Sequence, residues 1–159
     1  MIPKGRPEGE LHRSAQREGS PVSVQLDHVI VPARDRVAAA KQLAEILDVP
    51  WAAQGFGPFS AVYVNDGLTL DFIETHDPFP IYHFCFRVSD VEFDAIFARL
   101  LVAKIPYRSN PHGEVDMRIN TEWGGRIVYW TEPENHMWEI LTVSYARPRG
   151  DDRPLERQQ

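Results

Sequence analysis

The chain repeats its own pattern, and that duplication restricts its possible folds more than any other feature. Residues 24–31 (VQLDHVIV) and 81–88 (IYHFCFRV) are two short runs of strand-forming residues, each with a histidine near its centre. Apolar residues at helical spacing follow in both halves, Val37, Ala40, Leu43, Ala44 and Leu47 in residues 36–47, and Phe93, Ile96, Phe97, Leu100 and Leu101 in residues 91–102. Each half then closes in a hairpin. In the first, residues 60–64 and 68–73 flank Asn65-Asp66-Gly67, whose composition permits the positive φ angles of a tight turn. In the second, residues 126–130 and 137–143 flank a turn built on Pro133 and Asn135. The halves align as His28 with His83, Pro50-Trp51 with Pro106-Tyr107, Val62-Tyr63 with Val128-Tyr129, and Asp71 with Glu139. This predicts an α+β fold of two β-α-β-β-β repeats, over residues 24–75 and 80–145, closing into a half-open barrel of mixed sheets.

Residues 23–146 are expected to form one domain. Residues 1–22 and 147–159 are rich in Gly, Pro, Arg, Glu and Ser without apolar periodicity, and both are expected to be disordered. A formal charge of −6 with no dense Lys/Arg run argues against nucleic acid and anionic membrane surfaces, so a small-molecule substrate is the expected partner. No apolar run approaches the roughly 20 residues needed to cross a bilayer. The single cysteine, Cys85, cannot form an internal disulfide, and the N-terminus has no targeting pattern; the expected location is cytoplasmic.

His28 and His83 occupy equivalent places in the first strand of each repeat, and Asp71 and Glu139 equivalent places in the last. If the repeats pack about a pseudo-twofold axis, these four strands bring two imidazoles and one or two carboxylates to one centre. That donor set suits Fe2+, Mn2+, Zn2+ or Ni2+ and leaves positions free for substrate oxygens. Strand parity agrees, because Leu26, His28 and Ile30 share one face and Met137, Glu139 and Leu141 share another. The predicted ligands are therefore His28, His83 and Glu139, with Asp71 as a possible fourth. Each also has a plainer reading: hydrogen-bonded histidines, and a Glu139 paired with an arginine such as Arg126. Cys85, on the strand face of His83, reads as packing. The irregular stretch 108–125 contains Arg118, Asn120 and Trp123, which are candidates for substrate contact or an ordinary surface insertion. His112 and His136 fall in loops and read as solvated and structural respectively.

The segment from Gly125 to Ile140 (GRIVYWTEPENHMWEI) resembles the closing hairpin of the vicinal-oxygen-chelate superfamily, which includes glyoxalase I, ring-cleaving dioxygenases, and fosfomycin- and bleomycin-resistance proteins. Glu132 and Glu134 stand where that turn usually has aspartates, and Asn135 where glycine is usual. Leu26-Asp27-His28-Val29 is similar to the superfamily's opening strand. The resemblance implies a divalent metal that binds two adjacent substrate oxygens, in a homodimer. Glyoxalase-like isomerases carry a fourth carboxylate ligand where Asp71 stands. Extradiol dioxygenases use two histidines and one glutamate, often with a tyrosine ten residues before it, the position of Tyr129, which is the predicted catalytic residue. Their acid–base histidine has no counterpart in Gly67-Leu68-Thr69. The expected function is metal-dependent chemistry on a catechol-, enediol- or hemithioacetal-like substrate; the alternative is a metal-free binding protein of the bleomycin-resistance type.

Overall fold

The computed structural model describes residues 24–146. The two terminal stretches expected to be disordered, 1–22 and 147–159, lie outside the described residues. In chain order the elements are β1 (His28–Ala33), α1 (Arg36–Leu47), β2 (Trp51–Ala52), β3 (Ser60–Asn65) and β4 (Leu68–Glu74). The second half gives β5 (His83–Arg87), α2 (Asp90–Val102), β6 (Tyr107–Arg108), β7 (Ile127–Thr131) and β8 (Met137–Leu141). The predicted duplication is present: two four-stranded mixed sheets, ordered β1-β4-β3-β2 and β5-β8-β7-β6, with a parallel pair at one edge of each. No helix among the described residues is long and apolar enough to cross a membrane.

Local chemistry sets the element ends. Asp35 caps α1 by accepting from the Val37 and Ala38 amides, and Ser89 and Glu92 form a reciprocal capping box on α2. Strand β1 starts at His28 rather than at residue 24, because its parallel partner β4 only begins at Leu68 and the ladder opens with His28 opposite Thr69. The first hairpin turn also differs from expectation. Neither Asp66 nor Gly67 adopts a positive φ; instead Asn65 Oδ1 accepts from the Gly67 amide across a bulged register. In the second hairpin Asn135 does take the left-handed conformation, with φ 70°.

The sheets' inner faces and both helices share one core. Val31, Val62, Leu70 and Phe72 from the first module meet Phe93, Leu100, Val128, Trp130, Trp138 and Ile140 from the second. Trp138 stacks on Phe84 at 4.9 Å and lies against Phe72 across the module boundary at 6.4 Å. Polar contacts fasten the same boundary. His136, fully buried, accepts from the Tyr82 amide through Nδ1 and donates through Nε2 to the Pro32 carbonyl, while Arg99 pairs with Asp48. The opposite faces of the two sheets carry the candidate site residues.

Candidate metal centre

In the second module the site residues form a compact row. The ladders place Tyr129, Glu139 and Cys85 side by side across β7, β8 and β5, with His83 opposite Met137 one step along. His83 Nε2 lies 2.9 Å from Glu139 Oε2. Glu139 is fully buried, and among the described residues its one ion-pair partner is His83, whose side chain is 43% exposed. Arg126, the arginine that offered a plainer explanation of Glu139, is taken elsewhere: it pairs with Asp90 and Asp94 and lies over the Phe93 ring. A buried carboxylate without a fixed cation carries a desolvation cost of several kcal/mol, which a bound metal ion offsets. Two donors of the predicted set, an imidazole nitrogen and a carboxylate, are therefore assembled and fit a divalent cation.

The first module holds the other two candidates apart from this pair. His28 is exposed, and its Nδ1 lies 2.8 Å from Asp27, whose carboxylate raises the His28 pKa; Asp71 adds to this by its charge. Asp71 is opposite Ile30 in the β1–β4 ladder, the same offset that puts Glu139 opposite Cys85. The repeat equivalence of the two histidine–carboxylate pairs thus holds. Convergence within one chain does not: among the described residues no group of three or more His, Cys, Asp and Glu side chains could hold a metal ion. Leu26, Ile30 and Tyr63 are exposed on the first module, so the face expected to be closed around His28 is open.

The register also corrects one pairing of the repeats. With Asp71 matched to Glu139, the residue equivalent to Tyr129 is Ala61, not Tyr63, since Ala61 faces Asp71 as Tyr129 faces Glu139. Tyr129 is therefore particular to the second module. It is almost fully buried, its ring lies 6.0 Å from that of His83, and burial together with the Glu139 charge pushes its phenol pKa well above the usual range. Cys85 is exposed on its strand, and partial desolvation together with Glu139 pushes its thiol up.

Beside this row lies a cleft of about 360 Å³ lined by Ser109, Asn110, Pro111, Asn120, Glu122, Trp123, Tyr129 and Tyr145. Of the predicted substrate contacts, Trp123 and Asn120 border it and Arg118 does not. Asn120 already uses its side chain within the loop, donating to the Ser109 carbonyl and accepting from the Glu122 amide. Tyr145 was not legible as a site residue. It belongs to no strand, yet its hydroxyl donates to both carboxylate oxygens of Glu139, at 3.0 and 3.1 Å. His136 is the boundary fastener described above, in keeping with its structural reading.

No protein-family model and no curated protein matches the chain. Solved structures do. "Oxidase ChaP-H1" shares 42% identity, with 79% of this chain and 100% of that one covered and a TM-score of 0.72; "Oxidase ChaP-H2" shares 37%, with 78% and 97% covered and a TM-score of 0.73. The chain belongs to the vicinal-oxygen-chelate superfamily. More distant members show the same fold, among them the lactoylglutathione lyase of Agrobacterium tumefaciens, at 17% identity over 77% of this chain and 96% of that one with a TM-score of 0.54.

Proposed function

We propose that this protein is a divalent-metal-dependent oxidase or oxygenase acting on a small aromatic substrate with two adjacent oxygens. The observation that carries the proposal is Glu139: a fully buried carboxylate with His83 as its ion-pair partner. The oxidase named among its relatives, 42% identical over its whole length, supports redox chemistry over isomerisation. Two histidines and one carboxylate with open positions are a donor set typical of non-haem Fe(II) oxygenases, which favours iron or manganese over zinc or nickel. A metal bound there supplies Lewis acidity and a template for the two substrate oxygens.

The chain's own residues define the rest. The cleft between Trp123, Tyr129 and Tyr145 suits a flat ring, since aromatic walls contribute dispersion and edge-to-face contacts. Tyr129, which borders the cleft beside Glu139, is the residue in this proposal that donates to a substrate oxygen. The third ligand in this proposal is His28 of a second copy. β1 and β5 are both edge strands, and the exposed Leu26, Ile30 and Tyr63 give the first module an apolar face for a twofold contact. A twofold dimer would form two equivalent sites, each using one module from each chain.

Elemental analysis of protein purified without a metal-affinity tag, combined with oxygen uptake on catechols, tests the proposal. Iron or manganese near one per protomer, lost in His83→Ala and Glu139→Ala, is the expected result. Protein that stays metal-free after reconstitution with both ions would remove the enzyme reading and leave a ligand-sequestering role.

A further inference from the structure

We infer that Tyr145 is the positioning residue for the metal-binding carboxylate, and that it ties the state of that carboxylate to the substrate cleft. This rests on the metal-centre reading above. The final torsion of a glutamate side chain is broad, so a lone Glu139 would sample many orientations of its carboxylate plane. Tyr129 and Cys85 adjoin the carboxylate within the sheet, and two further contacts narrow its range. His83 Nε2 sits at 2.9 Å from Oε2, and the Tyr145 hydroxyl sits at 3.0 Å from Oε1 and 3.1 Å from Oε2. Rotation of the carboxylate breaks the shared hydroxyl contact on at least one oxygen, so the plane is held where it also meets His83.

Tyr145 reaches this place without help from a strand. It lies past the end of β8 in a bend, and its ring comes to 6.4 Å from that of Trp123, which belongs to the irregular loop on the other side of the cleft. Tyr145 is 47% exposed, whereas Tyr129, the other tyrosine beside Glu139, is locked into the sheet at 4%. A ligand entering the cleft therefore meets a side chain whose far end holds Glu139. Outer-shell hydrogen bonds of this kind orient first-shell ligands, and their loss typically weakens metal affinity about 10–100-fold.

The test uses the full chain and Mn2+ or Co2+ alone as probes. Tyr145→Phe keeps the ring and removes only the donor. The expected result is roughly 10–100-fold weaker Mn2+ binding by calorimetry, with an altered Co2+ visible spectrum, in protein that remains fully folded when metal-free. Tyr145→4-aminophenylalanine, which returns a donor at similar reach, should restore most of the affinity. If wild type and Tyr145→Phe bind Mn2+ equally and give the same Co2+ spectrum, the inference is overturned while the metal centre stands. If Tyr145→Phe lowers affinity only in step with its metal-free melting temperature, or 4-aminophenylalanine gives no recovery, the role is structural and the inference is likewise overturned. Wild type that binds neither ion would instead sink the reading beneath it.

Discussion

His136 offers the clearest place to test how the two modules are joined. Its Nδ1 accepts from the Tyr82 amide at 3.0 Å and its Nε2 donates to the Pro32 carbonyl at 2.8 Å, 104 residues away in sequence. The ring is also stacked against Tyr82 and Phe79, at centroid distances of 5.4 and 5.6 Å. His136→Leu preserves the approximate volume and removes both hydrogen bonds and both stacks. A buried backbone group left without a partner costs about 1–3 kcal/mol; the Pro32 carbonyl is buried and bears that in full, while the partly buried Tyr82 amide bears less. Lost ring contacts add about 1 kcal/mol, for a total of about 3–5 kcal/mol. Against a typical domain stability of about 5–15 kcal/mol this is a large share. Urea unfolding at fixed protein concentration, followed by tryptophan fluorescence and backbone circular dichroism, would measure it. The two signals should move together to lower urea, because Trp138 stands in the core the modules share. A loss under about 1 kcal/mol would refute the argument, since it would mean that neither backbone group depends on the imidazole.

Other predictions follow from single contacts. A Cβ on Gly125 would lie 2.8 Å from both Thr142 Oγ1 and Val143 Cβ, so Gly125→Ala should cost about 1–3 kcal/mol in thermal unfolding and should also weaken Mn2+ binding by displacing the chain leading to Tyr145. The Ser89 amide and hydroxyl hold the Glu92 carboxyl below its usual range. That depressed pKa makes its stabilising contribution complete above the unfolded carboxylate value and lost as pH falls through the folded one. Glu92→Gln should therefore melt below wild type at neutral pH, with the gap closing as pH falls through the folded value. A gap that persists in acid would contradict the capping-box assignment.

Much of the fold was legible because periodicity and duplication are local properties of the sequence. The stripe from Val37 to Leu47 marks α1 at its observed ends, and the histidine–carboxylate equivalence survives in the ladder offsets. What escaped depends on pairing geometry. The matching of Tyr129 with Tyr63 fails because it follows a shared Val-Tyr dipeptide and not the register: Asp71 comes ten positions after Ala61, as Glu139 comes ten after Tyr129, but only eight after Tyr63. Tyr145 carried no signal, since a tyrosine in a bend six residues after Glu139 has no periodic partner. The distance between His28 and the His83–Glu139 pair was equally hidden. Repeat equivalence identifies matching positions, but it does not say whether matched modules meet within one chain or between two.

That last distinction is open to one direct measurement. His28→Ala and Glu139→Ala each remove a proposed ligand, and in a two-chain site the variants complement each other: the heterodimer contains one centre with His28 from one chain and His83 and Glu139 from the other. We would co-express the two variants under different tags used only for separation, remove the tags, and determine iron and manganese in the isolated heterodimer. The account predicts about one metal ion per heterodimer, with neither variant homodimer retaining any. A heterodimer as metal-free as its parents, alongside a wild type that holds metal, would contradict it and place all the ligands within a single chain.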